Sequence, residues 1–193
     1  MIRIATPEDI PAILRIYGPY VENTTHSFEY TVPTLEQFRQ RFADITEILP
    51  WLVWESEGQV LGYAYASLPF HRAAYRWSCE VSIYVAPEAQ GKGIGRKLYA
   101  ALETILFRLG YRVIYSVITD ENHGSISFHE KVGYRHVAAM PGCGFKFGKQ
   151  LGIIWMEKRS DAVEIPSEFP TPWPVFVKIN RNLPNILATL SLP

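Results

Sequence analysis

Cysteine is scarce in this chain: Cys79 and Cys143 are its two cysteines, with neither metal-ligand spacing nor a disulfide framework between them. Both thiols are expected to be reduced and buried, and no metal site is expected. An excess of charge is also missing, since lysine plus arginine number 19 and aspartate plus glutamate number 19. That balance argues against a broad electrostatic grip on nucleic acid or anionic membrane, so any anion site must be local. No signal-peptide pattern opens the chain and no uninterrupted apolar run approaches membrane-spanning length, which makes the cytoplasm the expected location. Internal repeats are absent. So are the Gly-Lys-Ser/Thr ending of a nucleotide P-loop and the Gly-x-Gly-x-x-Gly of a dinucleotide fold. What remains is a 193-residue chain, 48% apolar and 20% charged, large enough to bury one sizeable core.

The most informative segment present is Ile83 to Gly95, Ile-Tyr-Val-Ala-Pro-Glu-Ala-Gln-Gly-Lys-Gly-Ile-Gly. A β-branched and aromatic run, Val81 to Val85, enters a loop with glycines at alternate positions, Gly91, Gly93 and Gly95, and the loop opens into a long amphipathic helix. Glycines there let successive backbone N–H groups turn inward, and the helix start carries partial positive charge, so the loop is a cradle for a phosphate. Lys92, Arg96 and Lys97 add cationic reach. A turn that merely connects strand to helix is the ordinary reading of a lone Gly-x-Gly; three alternate glycines, flanking cations and an immediate helix favour the cradle.

Periodicity lays out the rest. Ile2 to Ala5 reads as a short strand, and Thr6 with Pro7 starts a helix whose apolar positions are Ile10, Ile13, Leu14 and Tyr17. Thr34 and Gln37 form a capping box before Phe38, Phe42 and Ile45, leaving Val21 to Pro33 as an aperiodic loop of the functional kind. Strands are expected at Trp51 to Glu55, Val60 to Leu68, Ser78 to Val85 and Val113 to Ile118, and then at Tyr134 to Met140 and Leu151 to Lys158 flanking a Gly-rich connection. Ile94, Leu98, Leu102, Ile105 and Leu109 make one face of the long helix that Gly110 ends, and Ser125 to Val132 is a short helix stopped by Gly133. The pattern is α/β, with a mixed, mostly antiparallel central sheet and helices on both faces. Residues 1–159 form the expected domain. After Arg159 comes a tail punctuated by Pro166, Pro170, Pro172, Pro174, Pro184 and Pro193 that still carries Phe169, Trp173, Phe176 and Leu187. Its prolines forbid long helices, and its aromatics either pack on a domain or partner or belong to a disordered segment.

The order strand, Gly-loop, helix resembles the acyl-coenzyme A loop of the GCN5-related N-acetyltransferases (GNAT), whose Gln/Arg-x-x-Gly-x-Gly/Ala pattern is met by Gln90, Gly93 and Gly95. The resemblance implies a GNAT fold, acetyl-CoA as cosubstrate, and acyl transfer. Such a site must take a proton from an amine, stabilise a developing oxyanion and protonate a departing thiolate. Period-2 alternation puts Glu80, Ser82 and Tyr84 on one strand face and Val81, Ile83 and Val85 on the other. A carboxylate in an otherwise apolar strand is ordinarily exposed or ion-paired; at the entrance of this loop Glu80 is the candidate general base, acting directly or through a water held by Ser82.

Asn122, Ser125, Glu130, Gly133 and Tyr134 follow the family's spacing on the next crossover, with His129 where most members have tyrosine. That histidine is usual in the phosphinothricin N-acetyltransferase branch and its methionine sulfone and sulfoximine acetylating relatives. The same branch is matched by Tyr20-Val21-x-x-Thr24-x-x-Ser27-Phe28, Pro50-Trp51-Leu52-Val53, Arg72-x-Ala74-Tyr75-x-Trp77, Phe128-His129-Glu130 and Gly144-Phe145-Lys146-x-Gly148. The likeness spans about Ile2 to Arg159. It implies His129 as proton donor to the thiolate and main-chain groups of Ile83, Tyr84 and Val85 along the pantetheine arm. Gly91, Lys92, Gly93, Ile94, Gly95 and Arg96 would then hold the pyrophosphate, and Asn122 would contact the cofactor arm. It further implies Phe28, Phe70, Arg72, Tyr75 and Ser82 around a small-molecule amine acceptor, and a homodimer. An arginine fork at 72 suits a carboxylate, phosphinate or sulfone. The pattern breaks at Gln150 and Gly152, where the family usually has an aromatic and an aspartate, which bears on acceptor specificity. The expected activity is N-acetylation of a phosphinothricin, methionine sulfone or methionine sulfoximine type of analogue. The alternatives are another amine (a polyamine, an aminoglycoside or a protein N-terminus) or a coenzyme A-binding module without chemistry.

Overall fold

Seven strands form one sheet in the order β1-β2-β3-β4-β5-β7-β6 in the computed structural model, which describes residues 1–162 and 164–190. Pro193 of the tail lies outside the described residues. The strands are β1 (Ile2–Ile4), β2 (Trp51–Ser56), β3 (Gln59–Ser67), β4 (Ser78–Val85), β5 (Val113–Thr119), β6 (Arg135–Lys146) and β7 (Lys149–Arg159). Every neighbouring pair is antiparallel except β4 and β5, which run parallel. The helices are α1 (Ile10–Asn23), α2 (Leu35–Thr46), α3 (Ile94–Leu109), α4 (His123–Lys131), α5 (Trp173–Ile179) and α6 (Leu183–Leu190). Among the described residues no helix is long and apolar enough to cross a membrane.

The two sheet faces differ because β3 alternates large and small side chains. Tyr63 and Tyr65 stack with Trp51, with ring centroids 5.9 and 4.1 Å away, on the face covered by α1 and α2, where Tyr17 and Phe38 meet the same aromatic layer. Gly62, Ala64 and Ala66 fall on the other face and let α3 approach closely: a Cβ at residue 62 would lie 3.3 Å from Ile94 Cγ2. Leu98, Leu102 and Ile105 of α3 are buried against that smooth face.

Several boundaries differ from expectation. A single 3-10 turn, Pro7–Asp9, precedes α1, since Pro11 has no N–H to bond back to the Pro7 carbonyl, and α1 runs on through Pro19 to Asn23, shortening the aperiodic loop. The Gly-rich connection after Met140 is mostly strand. β6 continues through a register shift between Met140 and Gly144, and the chain reverses only at Phe147 and Gly148, both with positive φ. Cys79 is buried, but Cys143 sits in that irregular stretch and is exposed, contrary to the expectation for both thiols. In the tail, Trp173, Phe176, Leu183 and Leu187 join the main hydrophobic cluster, with α6 against β1 and α3.

Candidate active site

The parallel pair β4 and β5 is laddered from Ser78–Val113 to Glu80–Tyr115 and no further. Beyond that point Val81 to Val85 and Ser116 to Thr119 line the two sides of a cleft of about 480 Å³. The facing strand edges carry backbone N–H and C=O groups without a ladder partner, which suits an extended ligand bearing amide groups of its own. The Val85 carbonyl already accepts from the Tyr20 hydroxyl at 2.6 Å, and Gln90 Nε2 donates to that hydroxyl at 2.8 Å. Tyr84 turns its main-chain groups to Tyr63 in the β3 ladder, so Ile83 is the freer main-chain partner on the cleft edge.

At the mouth, the Gly-loop and α4 enclose a second hollow of about 360 Å³, lined by Gln90, Gly91, Gly93, Ile94, Gly95 and Arg96 on one side and Phe128, Lys131 and Val132 on the other. Gly91 and Gly93 have φ of 73° and 77°, the left-handed region, and Gly93 is the N-cap of α3. The Lys97 N–H bonds back to the Gly93 carbonyl at 3.2 Å, so the N–H groups of the preceding helical residues are left for an anion. Gly95 serves space instead: a Cβ there would lie 3.4 Å from Ile83 Cδ1 and 3.8 Å from Phe128 Cζ. Lys131 is a cation that the sequence did not single out, because only the packing of α4 beside the loop brings it there. Lys92 lines neither hollow. Lys97 sits with its ammonium 5.5 Å over the Trp54 ring, on the β2 side, so its expected reach into the cradle is not what the structure places.

His129 closes the inner end of the cleft from α4 and is 1% exposed. Its Nδ1 lies 2.7 Å from the Ser125 carbonyl, which can only accept, so Nδ1 carries hydrogen. Burial pulls its pKa below the ordinary histidine value, against the opposing effect of the Ser125 bond. The ring is thus neutral with its Nε2 lone pair outward, 2.9 Å from both the Tyr99 hydroxyl and Ser116 Oγ. One lone pair cannot satisfy two hydroxyl donors, so a hydroxyl hydrogen is available to the cleft that Tyr99 and Ser116 also line. Direct donation by His129 Nε2 is not available in this arrangement. Asn122 lines the same cleft, but its Oδ1 is occupied as the N-cap of α4, accepting from the Ser125 N–H at 3.1 Å, so its amide NH₂ is the group free for a ligand.

Glu80 lies on the opposite face. The Tyr84 ring packs on Tyr17 and Tyr20 of α1, at 4.9 and 5.1 Å, and period 2 puts Ser82 and Glu80 on that same side. Burial raises the Glu80 pKa, and its carboxylate makes no hydrogen bond or ion pair among the described residues. Tyr115 is its register partner on β5, and beside Tyr115 stands an aromatic group: Phe70 lies 6.3 Å from Tyr115, 5.9 Å from Trp155 and 4.7 Å from Tyr75. Arg72, in the loop after Phe70, is exposed and forms no ion pair among the described residues. Tyr115 and Trp155 went unnoticed in the sequence because it does not say which strands flank β4.

Phe28 is held by the β6–β7 hairpin. Its ring would come within 2.3 Å of a Cβ on Gly144, and Lys146 Nζ donates to the carbonyls of Val21 and Ser27, each at 2.7 Å. The two departures from the family pattern have a local explanation. Asp120 Oδ2 accepts from the Gly152 N–H at 3.0 Å and would lie 2.6 Å from a Cβ there, so a carboxylate from β5's end fills the space of a side chain at 152. Gln150 folds over the Gly142 backbone, donating to its carbonyl at 3.1 Å.

The sequence and the fold are similar to those of known proteins. Residues 2–155 match the model of the acetyltransferase (GNAT) domain. The phosphinothricin N-acetyltransferase of Alcaligenes faecalis is 35% identical over 163 residues, covering 83% of each chain. The L-methionine sulfoximine/L-methionine sulfone acetyltransferase of Salmonella typhimurium is 35% identical over 168 residues, covering 86% of this chain and 97% of that one. The crystal structure of a GNAT superfamily phosphinothricin acetyltransferase from Sinorhizobium meliloti in complex with acetyl-CoA superposes with a TM-score of 0.84 at 34% identity, covering 91% of this chain and 97% of the other. With a family match over most of its length and a cleft built between diverging β4 and β5, the chain belongs to the GNAT acetyltransferases.

Proposed function

We propose that this protein transfers acetyl from acetyl-CoA to the α-amino group of a small amino-acid analogue of the phosphinothricin, methionine sulfone or methionine sulfoximine type. The observation that carries the reading is the β4–β5 cleft opening at Glu80, with a thioester channel on the α4 side and a raised-pKa carboxylate beside aromatic rings on the α1 side. The substrate preference is supported by the relatives named above and by Arg72, an exposed guanidinium in the loop between Phe70 and Tyr75 that forms no ion pair among the described residues.

Bound acetyl-CoA supplies an activated acyl group and a thiolate leaving group. Glu80 accepts the ammonium proton, directly or through a water held by Ser82; burial has moved its pKa towards neutrality, where a base is most effective. N–H groups on the free edge of β4 polarise the acyl oxygen. The Ser116 or Tyr99 hydroxyl faces the departing sulfur, and His129 orients that pair from behind as a positioning residue. Arg96, Lys131 and the start of α3 hold the pyrophosphate.

Residues 1–159 constitute the catalytic unit in this reading, and the protein works in the cytoplasm as a homodimer. Support for the dimer is the edge strand β6, which exposes Val137, Met140 and Phe145, with Phe147 exposed in the turn beyond it. Incubation of the purified protein with acetyl-CoA and each analogue, read by free-thiol release, tests the activity. Release that depends on at least one analogue is expected, and none across the series overturns the substrate assignment.

A further inference from the structure

In the loop that carries Arg72, Ser78 Oγ donates to the Tyr75 carbonyl at 2.7 Å and the Trp77 carbonyl accepts from the Arg112 and Val113 N–H groups at 2.7 and 3.2 Å, so the main chain is fixed where β4 begins and Arg72 to Arg76 rest on one short turn. That turn closes through Tyr75 N–H to the Arg72 carbonyl at 3.0 Å and Arg76 N–H to the Ala73 carbonyl at 3.1 Å. Phe70 against Trp155 anchors its start. Its far end is gripped by a segment beyond the family match, which stops at residue 155. The Phe169 ring stacks on Trp77 at 5.1 Å, the Arg76 guanidinium lies 5.0 Å over the same Phe169 ring, and Trp77 Nε1 donates to the Glu168 carbonyl at 3.0 Å. The segment is itself fastened to the body: Thr171 N–H donates to the Leu109 carbonyl at 2.8 Å, Trp173 N–H donates to the Ile48 carbonyl at 2.9 Å, and the Trp173 side chain is buried.

We infer that Glu168 and Phe169 form a strap that fixes the Arg72–Trp77 loop in its acceptor-binding conformation, making Phe169 a positioning residue for acceptor affinity. The inference rests on the reading above that this loop lines the acceptor pocket. Without the aromatic clasp the turn gains conformations, and ordering it is then charged against acceptor binding, because residues 70–77 line neither the acetyl-CoA cleft nor the hollow at its mouth. Phe169 is 54% exposed, so its truncation leaves no large cavity.

The test is steady-state kinetics of Phe169→Ala and Phe169→Tyr on the full chain, paired with limited trypsin digestion followed at Arg72 and Arg76. Phe169→Ala is expected to raise the acceptor KM about fivefold or more, with kcat and the acetyl-CoA KM within about twofold, and Phe169→Tyr to restore it. Trypsin is expected to cut faster after Arg72 or Arg76 in Phe169→Ala alone. An unchanged acceptor KM, or parallel changes in both KM values, overturns the inference. If the wild type acetylates none of the analogues, the acceptor reading fails separately, and the digestion alone decides whether the strap exists: equal cleavage in wild type and Phe169→Ala overturns it.

Discussion

At the residue scale, the decisive feature is a carboxylate kept where its charge is disfavoured. The folded pKa of Glu80 is raised, so the stabilisation linked to it is full below the unfolded value and is lost as pH rises through the folded value. Glu80→Gln is therefore expected to raise the melting temperature at neutral pH, in differential scanning calorimetry, while lowering kcat by about 10²-fold or more with the acetyl-CoA KM nearly unchanged. In the wild type, kcat should fall as pH drops through that raised pKa, and the variant should lack this limb. Equal loss of kcat and acetyl-CoA affinity would make Glu80 structural. The His129 group makes a second expectation. Because Ser116 and Tyr99 share one imidazole lone pair, Ser116→Ala and His129→Gln should each reduce kcat about tenfold and the double variant little further, in a double-mutant cycle. Additive losses would show that the two act separately. Glu80 and His129 were both legible from their places in the chain. The lock on His129 was not, since Ser116 and Tyr99 come from β5 and α3 and meet it only in the folded protein.

At the scale of elements, the Gly-loop and α3 were almost fully readable, because a glycine-dependent backbone conformation and a 3.6-residue apolar stripe are local properties. The glycines nevertheless do different work. Gly93→Ala should cost about 1–2 kcal/mol through its left-handed φ of 77° alone. Gly95→Val pushes atoms past a position already 3.4 Å from Ile83 Cδ1, so it should raise the acetyl-CoA KM about tenfold with little change in stability, by steric crowding of the cleft. An isothermal titration with coenzyme A separates these outcomes; wild-type affinity in Gly95→Val would remove that glycine from the binding role. β6 was the least legible element. Its exposed, glycine-interrupted middle carries no alternation to read, and only pairing with β7 keeps it extended through the shift at Met140 to Gly144.

At the scale of the whole molecule, the tail contributes Trp173, Phe176, Leu183 and Leu187 to the core. Trp173→Ala is expected to destabilise the protein by about 3–5 kcal/mol in chemical denaturation, because a ring 4% exposed is lost from the cluster shared with the sheet and α3. A loss below about 1 kcal/mol would mean that the segment rests on the surface. The sequence by itself determined the order of elements, the anion cradle, the apolar faces and the family pattern around Glu80 and His129, since these depend on residue type and on spacing along one strand or helix. The tertiary structure alone decided where β4 and β5 part, that Glu80 and His129 stand on opposite faces of that gap, that Asp120 fills the space left by Gly152, and that Phe169 clasps Trp77. Each of these is a meeting of side chains far apart in the chain, and such meetings are set by strand order and packing, which no local spacing encodes.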